Sequence, residues 1–171
     1  MASLTRDFAA KHPFNSPLET GIRALVVLEA FYPRRCDLLE VTWLDHLVVH
    51  TGDLEWHDAP ESLHPDLPHR AGELLVRRQL VERSLRLMQR MHLIDECETE
   101  AGIEFCASED APSYVDLLQA PYSNALKARA KWMAEHFSSL PNDALRQLIE
   151  SRIGRWTAEF SADETLLGVS Q

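Results

Sequence analysis

The stretch HLIDECETEAGIEFCASED, residues 92–110, decides the fold. Two short runs of strand-forming residues stand on either side of TEAG at 99–102. Gly102 can take the backbone conformation that a tight turn needs, so the segment reads as a small β-hairpin. The residues just before it, 69–92, follow a helical pattern. Leu74, Val81, Leu85 and Met88 form one apolar row, and Val76, Leu80, Leu87 and Met91 form a second. Two rows predict a deeply packed helix, with one break admissible near Gln79. A helix that runs straight into a hairpin is the arrangement of a winged helix.

Upstream of this unit, residues 1–13 read as a loose arm. Ser16 can cap a helix, Pro17 suits its first turn and Glu19 completes a capping box. Ile22, Leu25 and Val26 continue at helical spacing until Pro33 ends the helix. A second helix is predicted from Asp37 to His50, with Leu39, Trp43, Leu44, Leu47 and Val48 as its buried stripe. Gly52 in TGD, residues 51–53, can stop it in a left-handed conformation. Residues 54–68, LEWHDAPESLHPDLP, make a long proline-containing loop, which marks it as a functional candidate. Downstream, a short helix is expected over 111–119 and longer ones over 121–139 and 142–160. Asn142 or Asp143 can cap the last, whose apolar side carries Leu145, Leu148, Ile149, Ile153, Trp156 and Phe160. The fold class expected is mainly α with a small β-hairpin. A winged-helix-like domain over 14–110 is followed by a C-terminal helical region over 111–160 and a tail over 161–171.

At 171 residues with 45% hydrophobic residues, the chain can build a proper core. Its net charge of −10 disfavours general affinity for phosphate backbones. MASLTRDFAAKHPF at the start carries charges where a signal peptide has an apolar run. The most apolar stretch, ALVVLEAFY, contains Glu29 and is far shorter than the roughly 20 residues that cross a bilayer. These features predict a soluble cytoplasmic protein without membrane partners. Of Cys36, Cys97 and Cys106, the last two could approach each other across the hairpin, where they read as reduced, packed thiols.

His46 and His50 lie four residues apart and share a helix face, with Asp45, Asp53, His57, His64 and His69 nearby in sequence. DHLVVH lacks a glutamate beside its first histidine and nothing fixes a third ligand, so packed or hydrogen-bonded histidines are the better reading. The sequence holds no GxSxG, no Cys–His signature and no phosphate-cradling glycine run. No catalytic residue, metal or cofactor is therefore expected, and Asp37/Glu40 and Glu96/Glu98/Glu100 read as solvated surface. The helix at 69–92 carries six arginines against two glutamates. Arg83, Arg86 and Arg90 lie on the face a recognition helix offers to a DNA groove and are the candidate DNA contacts. The hairpin beside them is acidic, with Asp95, Glu96, Glu98, Glu100 and Glu104. Opposite signs side by side suit a protein partner better than DNA.

Four blocks then carry a resemblance: PFNSPLETGIRALVVLEAFYP at 13–33, LDHLVVHTGD at 44–53, ESLHPDLPHRAGELLVRRQLVERSLRLM at 61–88 and YVDLLQAPYSNALKARAKWMAEHF at 114–137. Together they resemble the middle component of ABC three-component, Lamassu-type anti-phage systems. The resemblance implies a non-catalytic, winged-helix-like adaptor between an SMC/Rad50-like ABC ATPase subunit and an effector subunit, often a nuclease. In such a complex DNA is met mainly through the ATPase, which senses DNA ends or unusual replicating DNA and so frees or activates the effector. Within that frame His64, His69, Arg70, Glu73, Arg77 and Arg78 are candidate partner contacts, with Pro65 and Pro68 stiffening the loop. An internal pair, Arg70 with Glu73 or Glu73 with Arg77, could equally pin the loop to the helix. Phe14, Asn15, Ser16, Glu19 and Arg23 allow the same two readings, contact or internal structure. A winged-helix DNA-binding transcriptional regulator is the alternative function.

Overall fold

Ser16 opens the first helix, α1 (Pro17–Phe31), with the predicted capping box: its hydroxyl accepts the Glu19 amide at 3.2 Å and its own amide donates to the Glu19 carboxylate at 3.4 Å. The computed structural model describes residues 16–66, 70–141, 143–152 and 154–155, with the backbone alone for 70–75. The predicted arm and tail, Asn142, Ile153, Trp156 and Phe160 lie outside the described residues.

A short strand, β1 (Cys36–Asp37), leads into α2 (Leu38–Val49). Here the expectation of a solvated Asp37/Glu40 pair is overturned. Asp37 is an N-cap that accepts the Glu40 amide at 2.8 Å, while Glu40 accepts the Asp37 amide at 2.9 Å. Glu40 is buried, and Arg34 faces its carboxylate at 3.5 Å. Helix α2 is enclosed on all sides rather than along one stripe: every residue from Glu40 to Val49 is buried. The left-handed residue that ends the following 3-10 turn (Thr51–Leu54) is Glu55, with φ 56°, and not Gly52. Gly52 serves close approach instead. Its amide donates to Ser62 Oγ at 3.0 Å, and a Cβ there would meet the same oxygen.

Helix α3 (Arg70–Arg90) continues unbroken past Gln79. Only one of its two predicted rows enters the core. Val81, Leu85 and Met88 are buried, joined by Ser84, whereas Val76 is 69% exposed and Met91 41% exposed. The chain then forms β2 (Ile94–Thr99) and β3 (Gly102–Ala107), paired from Ile94↔Ala107 to Thr99↔Gly102. Gly102 has φ 120°, as the turn requires. A strand the sequence reading did not predict, β1, pairs with the other edge of β3 through Cys36↔Phe105 and Asp37↔Glu104, so the antiparallel order is β1-β3-β2. The fold is thus mainly α with a small antiparallel sheet. The register puts Cys97 and Cys106 on one hairpin face as free thiols, and burial pushes the Cys36 thiol up to about 12.

Helix α4 (Ala111–Asp116) and α5 (Pro121–Phe137) follow, and residues 143–152 form α6. One core joins them to α1 and α2 through Phe31, Trp43, Met133, Phe137, Leu145 and Ile149. Helix α1 is the central post, packed against α2, α3, α4 and α5.

Helix α1 approaches α3 closely at Gly21, where a Cβ would lie 2.8 Å from Met88 Cε and 3.1 Å from its Cγ. Gly21→Val is expected to lower unfolding free energy by about 1–3 kcal/mol through overpacking. Gly21→Ala should lose less, because the thioether end of Met88 can swing. Urea unfolding checks both, and an unchanged midpoint in Gly21→Val would rule out this approach of the helices.

Candidate functional site

Asp45 stands in an otherwise apolar part of α2 and is fully buried. A lone carboxylate there would cost several kcal/mol in lost hydration. Two guanidinium groups offset that cost. Arg23 of α1 donates from Nε to Oδ1 at 2.9 Å and from Nη2 to Oδ2 at 3.3 Å; Arg77 of α3 donates from Nη1 to Oδ2 at 2.7 Å. Arg23 Nη2 also reaches Thr20 Oγ1 at 3.1 Å. Burial by itself would push the Asp45 carboxyl up, but Arg23 and then Arg77 outweigh it and hold it below the ordinary carboxylate range. One carboxylate therefore ties three helices together.

A ladder of rings leads from this triad to the surface. His46 Nε2 lies 2.8 Å from Asp53 Oδ2, and the His46 ring stacks on His50 with centroids 4.6 Å apart. His50 meets His64 edge-on at 5.8 Å, and His64 stacks on Tyr122 at 6.0 Å with Nε2 2.8 Å from the phenol oxygen. Burial drives all three imidazoles below their ordinary value of 6.5. His46 falls against the pull of Asp53. His50, also facing His46 and Arg77, falls to about 3. His64, facing Arg23 and Arg77, falls to about 4. The helix does place His46 and His50 together, as their spacing predicts. Yet no three His, Cys, Asp or Glu residues are arranged to hold a metal ion among the described residues. His57 is exposed on the loop.

The predicted partner contacts divide sharply. The loop that carries them is fastened back onto the body. Leu63 and His64 donate amides to Val49 O at 2.9 and 3.0 Å, and Thr51 Oγ1 donates to Pro60 O at 2.6 Å. Arg129 of α5 donates to Glu61 O from Nε at 2.9 Å and Nη2 at 2.7 Å. Trp56 packs against Phe137, Trp132 and His136. His64 sits half-buried at the outer end of the ring ladder, Arg77 points inward onto Asp45, and Arg78 is exposed. His69 lies outside the described residues, as do the side chains of Arg70 and Glu73. Arg83, Arg86 and Arg90 are exposed along the outer face of α3, where Arg86 pairs with Glu82 at 2.6 Å. Of the N-terminal block, Ser16 and Glu19 cap α1 and Arg23 belongs to the triad; Phe14 and Asn15 lie outside the described residues.

Sequence reading assigned no role to Asp45 beyond a nearby metal-ligand type, and none to Tyr122 or Trp56. A signal for Asp45 was present. LLEVTWLDHLVV is too apolar to be a surface helix, so a charge within it must be buried and must find a cation.

Asp45→Asn removes the charge that balances two buried guanidiniums and is expected to destabilise by about 3–5 kcal/mol. Replacing the triad together by Arg23→Met, Asp45→Leu and Arg77→Met should retain much more stability; chemical denaturation compares the two. The histidines predict acid sensitivity. Unfolded imidazoles take a proton near 6.5, whereas folded His50 and His64 resist to about 3 and about 4. Stability present above pH 6.5 therefore drains as pH falls toward those values, by up to about 1.4 kcal/mol per pH unit for each such histidine. A urea midpoint at pH 5 equal to that at pH 7.5 would contradict this, and His50→Gln should flatten the slope.

Comparison with known families places this geometry in context. Residues 13–159 match the family model described as ABC-three component (ABC-3C) system Middle Component 2. The match spans every member of the Arg23–Asp45–Arg77 triad and continues past Phe137 into α6. No curated protein and no solved structure matches the chain at a significant level. With nearly its whole length matched, the chain belongs to the Middle Component 2 family of ABC-three component systems.

Proposed function

We propose that this chain is a non-catalytic adaptor in bacterial anti-phage defence, joining an SMC/Rad50-like ABC ATPase to an effector subunit, a nuclease in the simplest case. The family match over residues 13–159 carries the reading: a middle component of a three-component system has partner proteins. The internal chemistry is consistent with it. Both oxygens of Asp45 are taken by arginines, so this carboxylate is braced rather than poised to accept a substrate proton. No helix among the described residues is long and apolar enough to cross a membrane, and we place the complex in the cytoplasm with its DNA.

The order helix, short strand, two helices, hairpin, with sheet order β1-β3-β2, supports a winged-helix-like body for the adaptor. Its proposed partner edge runs along the proline loop and the start of α3, through His64, His69, Arg70, Glu73 and Arg78. Arg77 supports that edge from inside. The second reading, a DNA-binding regulator, is favoured by the exposure of Arg83, Arg86 and Arg90 on the helix before the hairpin. The acidic hairpin beside it works against duplex binding.

Co-expression with the ATPase and effector components, followed by size-exclusion chromatography, should give one co-eluting complex. Elution of this chain apart from both would defeat the adaptor reading. Arg78→Glu should weaken assembly and leave the fold intact, whereas Arg77→Glu should unfold the chain. Tight, salt-dependent duplex binding by the isolated chain, lost in Arg83, Arg86 and Arg90 variants, would favour the regulator instead.

A further inference from the structure

Helix α3 holds a row of apolar side chains that its own core takes up only in part, Leu87 packing against the edge of that core. Val76 is 69% exposed, Met91 is 41% exposed, and Leu80 and Leu87 are half-buried. Positions 76, 80, 83 and 87 alternate by four and three residues, the 3.5-residue spacing of a helix–helix seam. Arg83 occupies the centre of that seam, Arg90 follows one heptad later and Arg86 lies along one flank, all exposed. From Val76 to Arg90 the row extends about 21 Å, or two heptads. The opposite face of the helix, through Val81, Leu85 and Met88, is the one buried in the core, while the helix packs on α1, α2 and β2.

We propose that this row docks one helix of a partner protein, a reading that rests on the adaptor function for the partner's existence. The 3.5-residue period selects a helix, since a strand would present side chains at a period of two. The chemistry of that helix follows from the row. Positions facing Val76, Leu80 and Leu87 are apolar. The position facing Arg83 is Asp or Glu, because an arginine drawn out of water in a seam needs a carboxylate, which its planar fork binds in two bonds. Further acidic residues run opposite Arg86 and Arg90. The partner is thus an acidic amphipathic helix with carboxylates inside its own apolar stripe, opposite Arg83 and Arg90. Duplex DNA would leave Val76 and Leu80 without partners and bring phosphates near the acidic hairpin. A second copy on the same seam would set arginines against arginines.

The test uses the co-expressed three-component complex with benzoylphenylalanine at Gln79, an exposed position beside the seam. Irradiation should cross-link it to an acidic, heptad-patterned segment of one of the other two components. Arg83→Glu should abolish that cross-link and lower co-elution at least tenfold, while the circular-dichroism melt of the isolated chain stays as in wild type. Arg83→Lys should retain part of both. If the complex forms but Gln79 cross-links to DNA, to a second copy or to nothing, or if Arg83→Glu assembles normally, the seam is overturned and the adaptor reading stands. If wild type does not assemble at all, the adaptor reading falls and the seam with it.

Discussion

One buried carboxylate sets the arrangement of the three helices at the centre of the structure. Asp45 enters the core only because Arg23 and Arg77 meet it there, one from each neighbouring helix. Apolar packing tolerates small slips of one helix along another, since one methyl contact resembles the next. A bidentate guanidinium–carboxylate pair does not, because its two bonds hold only at one register and orientation. The triad therefore contributes less to net stability than to uniqueness. Three apolar side chains of similar volume could fill the same space without fixing α1, α2 and α3 relative to one another. The Gly21–Met88 approach shows the same tight register in steric form.

The hydrogen-bonded loop extends this constraint outward. Residues 55–66 have no secondary structure of their own, yet their backbone is tied to the end of α2 and to α5. Tyr122 at the start of α5 closes the ring ladder that begins at His46. A load applied to the loop is thus passed to the end of α2 and to α5, and through α2 to the triad. The proposed adaptor role would need such stiffness: partners on different faces are held at a fixed spacing only if the body between them does not yield. Prolines 60 and 65 lower the entropy of the free loop, and its hydrogen bonds fix what freedom is left.

What the sequence disclosed follows the range of the physics involved. Features set by neighbours three or four residues apart were legible: the Ser16/Glu19 capping box, the helix periods and the Gly102 turn. The Asp37/Glu40 box has the same local signature and was legible too, but two acids near an arginine-rich segment resemble surface. Asp45 was not legible as a keystone, because Arg23 lies 22 residues away and Arg77 lies 32 away. No local rule selects those two arginines among the others. The third strand was hidden for a similar reason: two residues, Cys36 and Asp37, carry no periodicity and become a strand only by lying beside β3. The stop of α2 was assigned to Gly52 because glycine favours positive φ. The chain instead uses Gly52 for its missing Cβ and places Glu55 in the left-handed turn.

Helix α3 shows how one residue type takes two roles according to its phase on the helix. Arg77 and Arg78 are adjacent in sequence, so about 100° separates them around the axis. That turn carries Arg77 to a fully buried carboxylate and Arg78 into solvent. Arg83, six positions beyond Arg77, falls on the outer side with Val76 and Leu87, whereas Ser84, one residue further, is buried. A count of arginines cannot separate these roles, but the phase of the core residues can. Val81, Ser84, Leu85 and Met88 define the inner direction; Arg77 lies about 30° from it and Arg78 about 70°, and the nearer one meets the internal carboxylate. Arginine suits both sides because its guanidinium stays charged when buried and forms a planar, two-pronged contact whether the carboxylate belongs to this chain or to another. The inner arginine gives the helix its register, and that register fixes the direction in which the outer ones are presented.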